Sequence, residues 1–299
     1  MIVPYLRQDL EVFRGNSRED GSPAWLLYDA IRNKYFTLGL TAFKLIKNWS
    51  GGEDIKNFEK KINSSGIETS EDEIKSFISF LHQNNLIVQP SGQNISYLLQ
   101  QKNSMKKSWL LYLIHSYLFF KIPLFKPDNW LSKTLKYVKY FGSKQFRNIT
   151  YFFGFVGLFL VAQQFETFKS TFLYFFSFQG LMLYFLTLVF VKCLHELGHA
   201  YIAKHYGCRV SAIGIAFLVF FPFLYTDTTD AWRLRNHKER LLINFGGILT
   251  ELHLALFATF IWGILPEGGF KSVAFFIATT SWISSLTINV SPFMRFDGY

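Results

Sequence analysis

His195-Glu-Leu-Gly-His199 sets two imidazoles four residues apart with a carboxylate beside the first. On a helix, residues four apart share a face, about one turn along the axis. Two imidazoles so placed can bind one zinc ion. Glu196 then lies about 100° round the helix, beside the metal, where it can take a proton from zinc-bound water. The pentapeptide closes an apolar run, and two His and a Glu are costly to bury there without chemistry to do.

Catalytic zinc usually has three protein ligands and a water. His205 follows His199 by six residues, the metzincin spacing, but that pattern needs a Gly at 202 to turn the chain and this sequence has Ile202. If the helix runs on, His205 points about 120° away from the pair. Cys193, two residues before His195, is also on the wrong face. Glu251 and His253 lie in a later apolar run without a supporting pattern. The remaining candidate is Asp297, in Asn289-Val-Ser-Pro-Phe-Met-Arg-Phe-Asp297-Gly298.

The elements that must hold these residues are apolar. Of 299 residues 50% are hydrophobic, 19% aromatic and only 17% charged, low for a soluble protein. The average hides a division: residues 1–107 carry 14 Lys/Arg against 12 Asp/Glu, whereas 149–296 hold long apolar runs with few charges. The net charge of +10 does not signal nucleic acid, because the basic residues flank hydrophobic segments and suit anionic headgroups and the positive-inside rule. Cys193 and Cys208 make no disulfide framework. No signal peptide opens the chain, so the N-terminal part is expected to stay in the cytosol.

The pattern predicts an α-helical integral membrane protein of about four spans with an N-terminal α/β, winged-helix-like domain. Residues 1–95 form that domain, 96–147 a linker and interfacial helix, and 148–299 the membrane domain. In the first, Trp25–Tyr28 and Lys34–Leu38 read as strands joined by a turn at 29–33. Leu40–Trp49 reads as a helix. Ser70-Glu-Asp-Glu73 is a capping box before Ile74, Phe77, Ile78 and Leu81, and Leu86–Val88 reads as a closing strand. Trp109–Phe120 is too short to span, and Pro123 and Pro127 break the stretch after it. Trp130, Leu131, Leu135 and Val138 oppose Lys133 and Lys136, as in a basic helix lying on the membrane. Spans are expected at about 149–165, 180–203, 241–264 and 272–288. Lys133, Lys136, Lys139, Lys144, Arg147, Lys204, Arg209, Arg233, Arg235, Lys238 and Arg240 lie at ends assigned to the inside. His195–His199 and Asp297 then reach the same leaflet. Asp230 is expected to cap the helix after it.

The two motifs resemble the site-2 protease family of intramembrane zinc metalloproteases, over about residues 150–299. Its members carry HExxH in one span and N-x-x-P-x-P-x-L-D-G in a later one. This chain keeps Asn289, Pro292, Asp297 and Gly298, with Met294 for the second Pro and Phe296 for Leu. The resemblance implies zinc held by His195, His199 and Asp297, Glu196 as general base, and Asn289 near the reacting carbonyl. It also implies a peptide or membrane-protein substrate, and a membrane-dipping β-hairpin at 209–222 whose edge an extended substrate can pair with. The run 221–232 resembles a branch joined to a membrane-fusion export adaptor, implying peptide maturation or export in a bacterial inner membrane. Family members continue beyond the Asp-Gly, so a chain ending at Tyr299 reads as shortened. Trp25, Tyr28-Asp29, Tyr35-Phe36, Leu38-Gly39 and Phe43 resemble PqqD-like domains, which hold leader peptides. The rival readings are a non-catalytic peptide-binding component of an export system, and a transporter with chance ligands. Repeat symmetry that would support the transporter is not evident.

Overall fold

The structure is a computed structural model, described at residues 2–15, 23–64, 66, 69–88, 119–174, 176–218 and 221–285. The chain divides into two compact units, Met1–Ser116 with Trp232–His237, and Tyr117–Ala231 with Lys238–Tyr299.

In the first unit, β1 (Leu10–Arg14), β2 (Trp25–Asp29) and β3 (Lys34–Leu38) make an antiparallel sheet in that order, Leu27 standing opposite Val12 and Phe36. The turn between β2 and β3 closes with Asn33 at φ 50°, a left-handed conformation Asn tolerates well. Three helices come next: α1 (Leu40–Lys47), α2 (Ile55–Ser64) and α3 (Glu71–Gln83). The expected capping box opens α3, Ser70 Oγ accepting from Glu73 N–H at 3.3 Å. Leu45, Ile55, Phe58, Ile62, Ile74 and Ile78 pack as one core cluster and Leu27, Leu38, Leu81 and Leu86 as another. Strand β1 was not foreseen, and the closing strand reduces to one bridge, Leu6 to Ile87. Asp29 is fully buried and paired with Arg7 at 2.8 Å and Arg32 at 2.5 Å. Burial pushes its carboxyl up, but the two guanidiniums and the Arg32 N–H outweigh this and hold it below the usual carboxylate range.

The second unit begins with β4 (Phe119–Phe125) and α4 (Asp128–Val138). Next come α5 (Lys144–Gln163), α6 (Phe165–Tyr174) and α7 (Phe178–His205), and then the hairpin β5 (Ile213–Leu218) and β6 (Phe221–Thr226). The last described elements are α8 (His237–Asn244), α9 (Gly246–Ile264) and α10 (Gly269–Ile283). Helices α5, α7 and α9 are long and apolar enough to cross a membrane. Helix α7 is patterned opposite to a helix in water: Phe185, Leu186 and Phe190 are 50–65% exposed, while Thr187, His195 and His199 are buried. Lipid fits that outer stripe, and polar residues are kept within the bundle.

Lipid tails are as apolar as Leu, so such helices associate by close packing and hydrogen bonds rather than by hydrophobic transfer. Helix α9 touches α5, α7 and α10. A Cβ on Gly157 of α5 would come within 2.7 Å of the Phe260 backbone, and a Cβ on Gly246 within 2.9 Å of Gly198 O. These positions need Gly for backbone proximity.

Several expectations are corrected. Residues 166–171, between the first two expected spans, lie in the helix α6. Residues 119–125, read as broken by Pro123, form β4 and pair with β5; an outer strand tolerates the missing N–H. The hairpin is displaced to 213–226 and carries β4 as a third strand. The fourth span is described only as α10 and Ser284–Ser285. Asp230 accepts the Arg209 N–H at 2.7 Å, tying the hairpin's exit to its entry. Residues 109–118 lie outside the described residues.

Candidate metal centre

Helix α7 is capped by Ser177, whose side chain accepts the Gly180 N–H at 3.0 Å. It continues unbroken through the pentapeptide, so the helical spacing brings both imidazoles inward. His195 and His199 are 4% and 8% exposed. Their Nε2 atoms stand 3.2 Å apart. Two zinc–nitrogen bonds at a tetrahedral angle would put the nitrogens about 3.3 Å apart, so the pair fits the ion.

The opposite nitrogens each face an oxygen, His199 Nδ1 in a hydrogen bond and His195 Nδ1 in a close contact that lacks hydrogen-bond alignment. His199 Nδ1 lies 2.7 Å from the Ile243 carbonyl, an acceptor, so that nitrogen carries the proton. His195 Nδ1 lies 2.9 Å from Glu251 Oε1. A proton on each Nδ1, facing those oxygens, would leave both Nε2 lone pairs pointing into one space. Two lone pairs at 3.2 Å repel unless a cation lies between them, which is the arrangement of metal-ligating His.

The ring of His195 fits because α9 presents Gly247 to it; a Cβ there would overlap His195 Cε1 and Nε2. Gly198, inside the pentapeptide, sits against the Gly246 carbonyl at 2.5 Å from where its Cβ would be. Gly246-Gly247 of α9 therefore packs against α7 at the two His.

Glu196 is half-buried, and its backbone carbonyl accepts from Thr226 Oγ1 at 3.0 Å. The end of β6 is thus bound to the helical turn bearing the proposed base. At the end of α7, Asp128 of α4 accepts from Lys204 Nζ at 2.8 Å and from the Val210 N–H at 3.0 Å. Burial pushes Asp128 up, but Lys204 and the Val210 N–H prevail and hold it below the usual range. Thr134 Oγ1 and Tyr201 Oη are 2.9 Å apart, and Leu131 is fully buried. The apolar stripe of α4, expected to face lipid, is thus partly used against α7, while Trp130 remains 47% exposed.

Cys193 and His205 are exposed, as the spacing predicted. Glu251 faces the Nδ1 side of His195, away from the converging Nε2 atoms, and so does not join the pair. His253 has Nδ1 2.6 Å from the Leu249 carbonyl and stacks on Phe146. Among the described residues no third His, Cys, Asp or Glu completes a metal-binding group. Asn289 and Asp297 lie outside the described residues. Sequence reading missed that Glu251 lies against His195 and Lys192; the available signal was two opposite charges inside apolar helices.

A curated relative, "Putative peptide zinc metalloprotease protein YydH" of Bacillus subtilis (strain 168), is 26% identical over 107 residues, covering 36% of this chain. The match spans 40% of that relative's length. No solved structure matches the chain. Residues 181–298, from within α7 through the Asp-Gly pair, match the model of Peptidase family M50.

Proposed function

We propose that the chain is an intramembrane zinc metalloprotease of the site-2 type, hydrolysing peptide bonds in membrane-embedded or membrane-delivered peptides. The observation that carries this reading is the 3.2 Å convergence of His195 and His199 Nε2 in the interior of an apolar helix bundle. Asp297 is proposed as the third ligand and Asn289 as a polar group beside the reacting carbonyl, both on the family resemblance. Zinc at this site supplies a Lewis acid that acidifies water and polarises the substrate carbonyl. Glu196 takes the proton from the attacking water and delivers it to the leaving amine nitrogen. A helix shields its own peptide bonds, so the substrate must be extended. Strand β6 is an outer strand of its sheet and ends at Thr226, bonded to Glu196; a peptide added along it would pass beside the base.

The proposed setting is a bacterial inner membrane, with the basic ends of the spans and the N-terminal unit on the cytoplasmic side. A role in peptide maturation or export, with a membrane-fusion adaptor as partner and a PqqD-like N-terminal unit holding the peptide, extends the same reading. A depression lined by Tyr5, Leu6, Arg7, Asp9 and Val88 is a place for such a peptide. It also favours the second reading, a peptide-binding component that does not cleave. Replacement of Glu196 by Gln distinguishes them. Retained zinc with cleavage reduced about 10²–10⁴-fold is expected for a general base. Undiminished cleavage would sink the protease mechanism, and a wild type that binds zinc and peptide without cleaving would favour the second reading.

A further inference from the structure

Glu251 is 1% exposed, in the middle of an apolar helix, and is surrounded by donors from two other elements. Lys192 Nζ reaches Oε1 at 2.8 Å, His195 Nδ1 faces Oε1 at 2.9 Å, Ser284 Oγ donates to Oε1 at 3.2 Å and Ser285 Oγ to Oε2 at 2.8 Å. Lys192 also donates to Ser284 Oγ. A Lys–Glu pair at bilayer depth is expensive. Holding two serines does not require it, since the carbonyl of a Gln accepts from hydroxyls as well. The group in the network that gains from a full negative charge is His195. A carboxylate on the Nδ1–H of a ligating imidazole fixes its tautomer, orients its ring and raises its donor strength.

The two imidazoles are therefore backed unequally, His199 by the neutral Ile243 carbonyl and His195 by a carboxylate whose charge Lys192 balances. Through Ser284 and Ser285, the same carboxylate also fixes the end of α10 against α9. We infer that Glu251 is the positioning residue of the metal site: it holds His195 with Nε2 turned to the ion, and Lys192 serves as its counter-charge. This rests on the zinc-site reading.

The test is zinc affinity of the full chain in detergent, measured by competition with a chromophoric chelator, together with the visible spectrum of the cobalt-substituted protein. Glu251→Gln keeps the shape and the serine contacts; zinc binding about 10–100-fold weaker with an altered cobalt spectrum is expected. Because that change leaves Lys192 unbalanced, the charge-neutral pair Glu251→Gln with Lys192→Met is measured beside it. The pair should unfold at the wild-type temperature and keep the weakened affinity and altered spectrum. Ser285→Ala should leave both near wild type. Wild-type affinity and spectrum in the neutral pair would overturn the inference while leaving the zinc site standing. A wild type that binds no zinc would remove the site and the inference together.

Discussion

Two buried carboxylates, Asp29 in the first unit and Glu251 in the second, differ in what lies beyond their partners. Asp29 meets two arginines that also donate to chain carbonyls, Arg7 to Asn85 at 2.9 Å and Arg32 to Asn84. Apart from Asp9, which also pairs with Arg7, that network ends in backbone, gathering the N-terminal segment, the β2–β3 turn and the end of α3. Glu251 meets an imidazole whose far nitrogen converges on a second imidazole. Burial and pairing are alike in both; only one passes its charge toward a place where an ion fits. The contrast teaches that a buried charge is evidence of function only when its partner has a second, reactive side.

The contrast can be broken in order of size. The largest expected effect is Asp29→Asn, which leaves Arg32 without its carboxylate and Arg7 with Asp9 alone, and should cost the first unit about 3 kcal/mol, read as a lower urea midpoint with zinc binding unchanged. Lost zinc in that variant would erase the distinction. Next is Gly247→Val, whose branched side chain must push the His195 ring aside; zinc affinity should fall at least about tenfold, whereas wild-type affinity would mean the helix crossing is looser than described.

A pH series sharpens the same comparison. The folded pKa of Asp29 is depressed, so its contribution is complete above the ordinary carboxylate pKa and is lost as pH falls through the folded value. The gap in urea midpoint between wild type and Asp29→Asn should be full at neutral pH and shrink below about pH 4. A gap that widens on acidification would reverse the sign of the argument. The smallest effect belongs to Asp128→Asn at the partly buried Lys204 pair: about 1 kcal/mol, with the cobalt spectrum unmoved.

The ligand pair was legible because helical periodicity alone places residues 195 and 199 on one face. The capping box of α3 and the β2–β3 hairpin were legible for the same reason: their signals are local. What escaped was non-local. Glu251 was visible as an ionisable residue in an apolar run, but Lys192 is 59 residues away and Ser285 is 34, and no spacing rule connects them. Pro123 misled because Pro breaks most elements, and only the pairing with β5 reveals an outer strand. The polar face of β1 hid it, since Glu11 and Arg14 interrupt its apolar alternation.

The central claim is that His195 and His199 hold zinc. Metal content of the detergent-purified chain, wild type beside His199→Ala and Asp297→Ala, tests it most directly. About one zinc per chain, lost in both variants, is the predicted result. A wild type without zinc, or a His199→Ala chain that keeps it, would contradict the account.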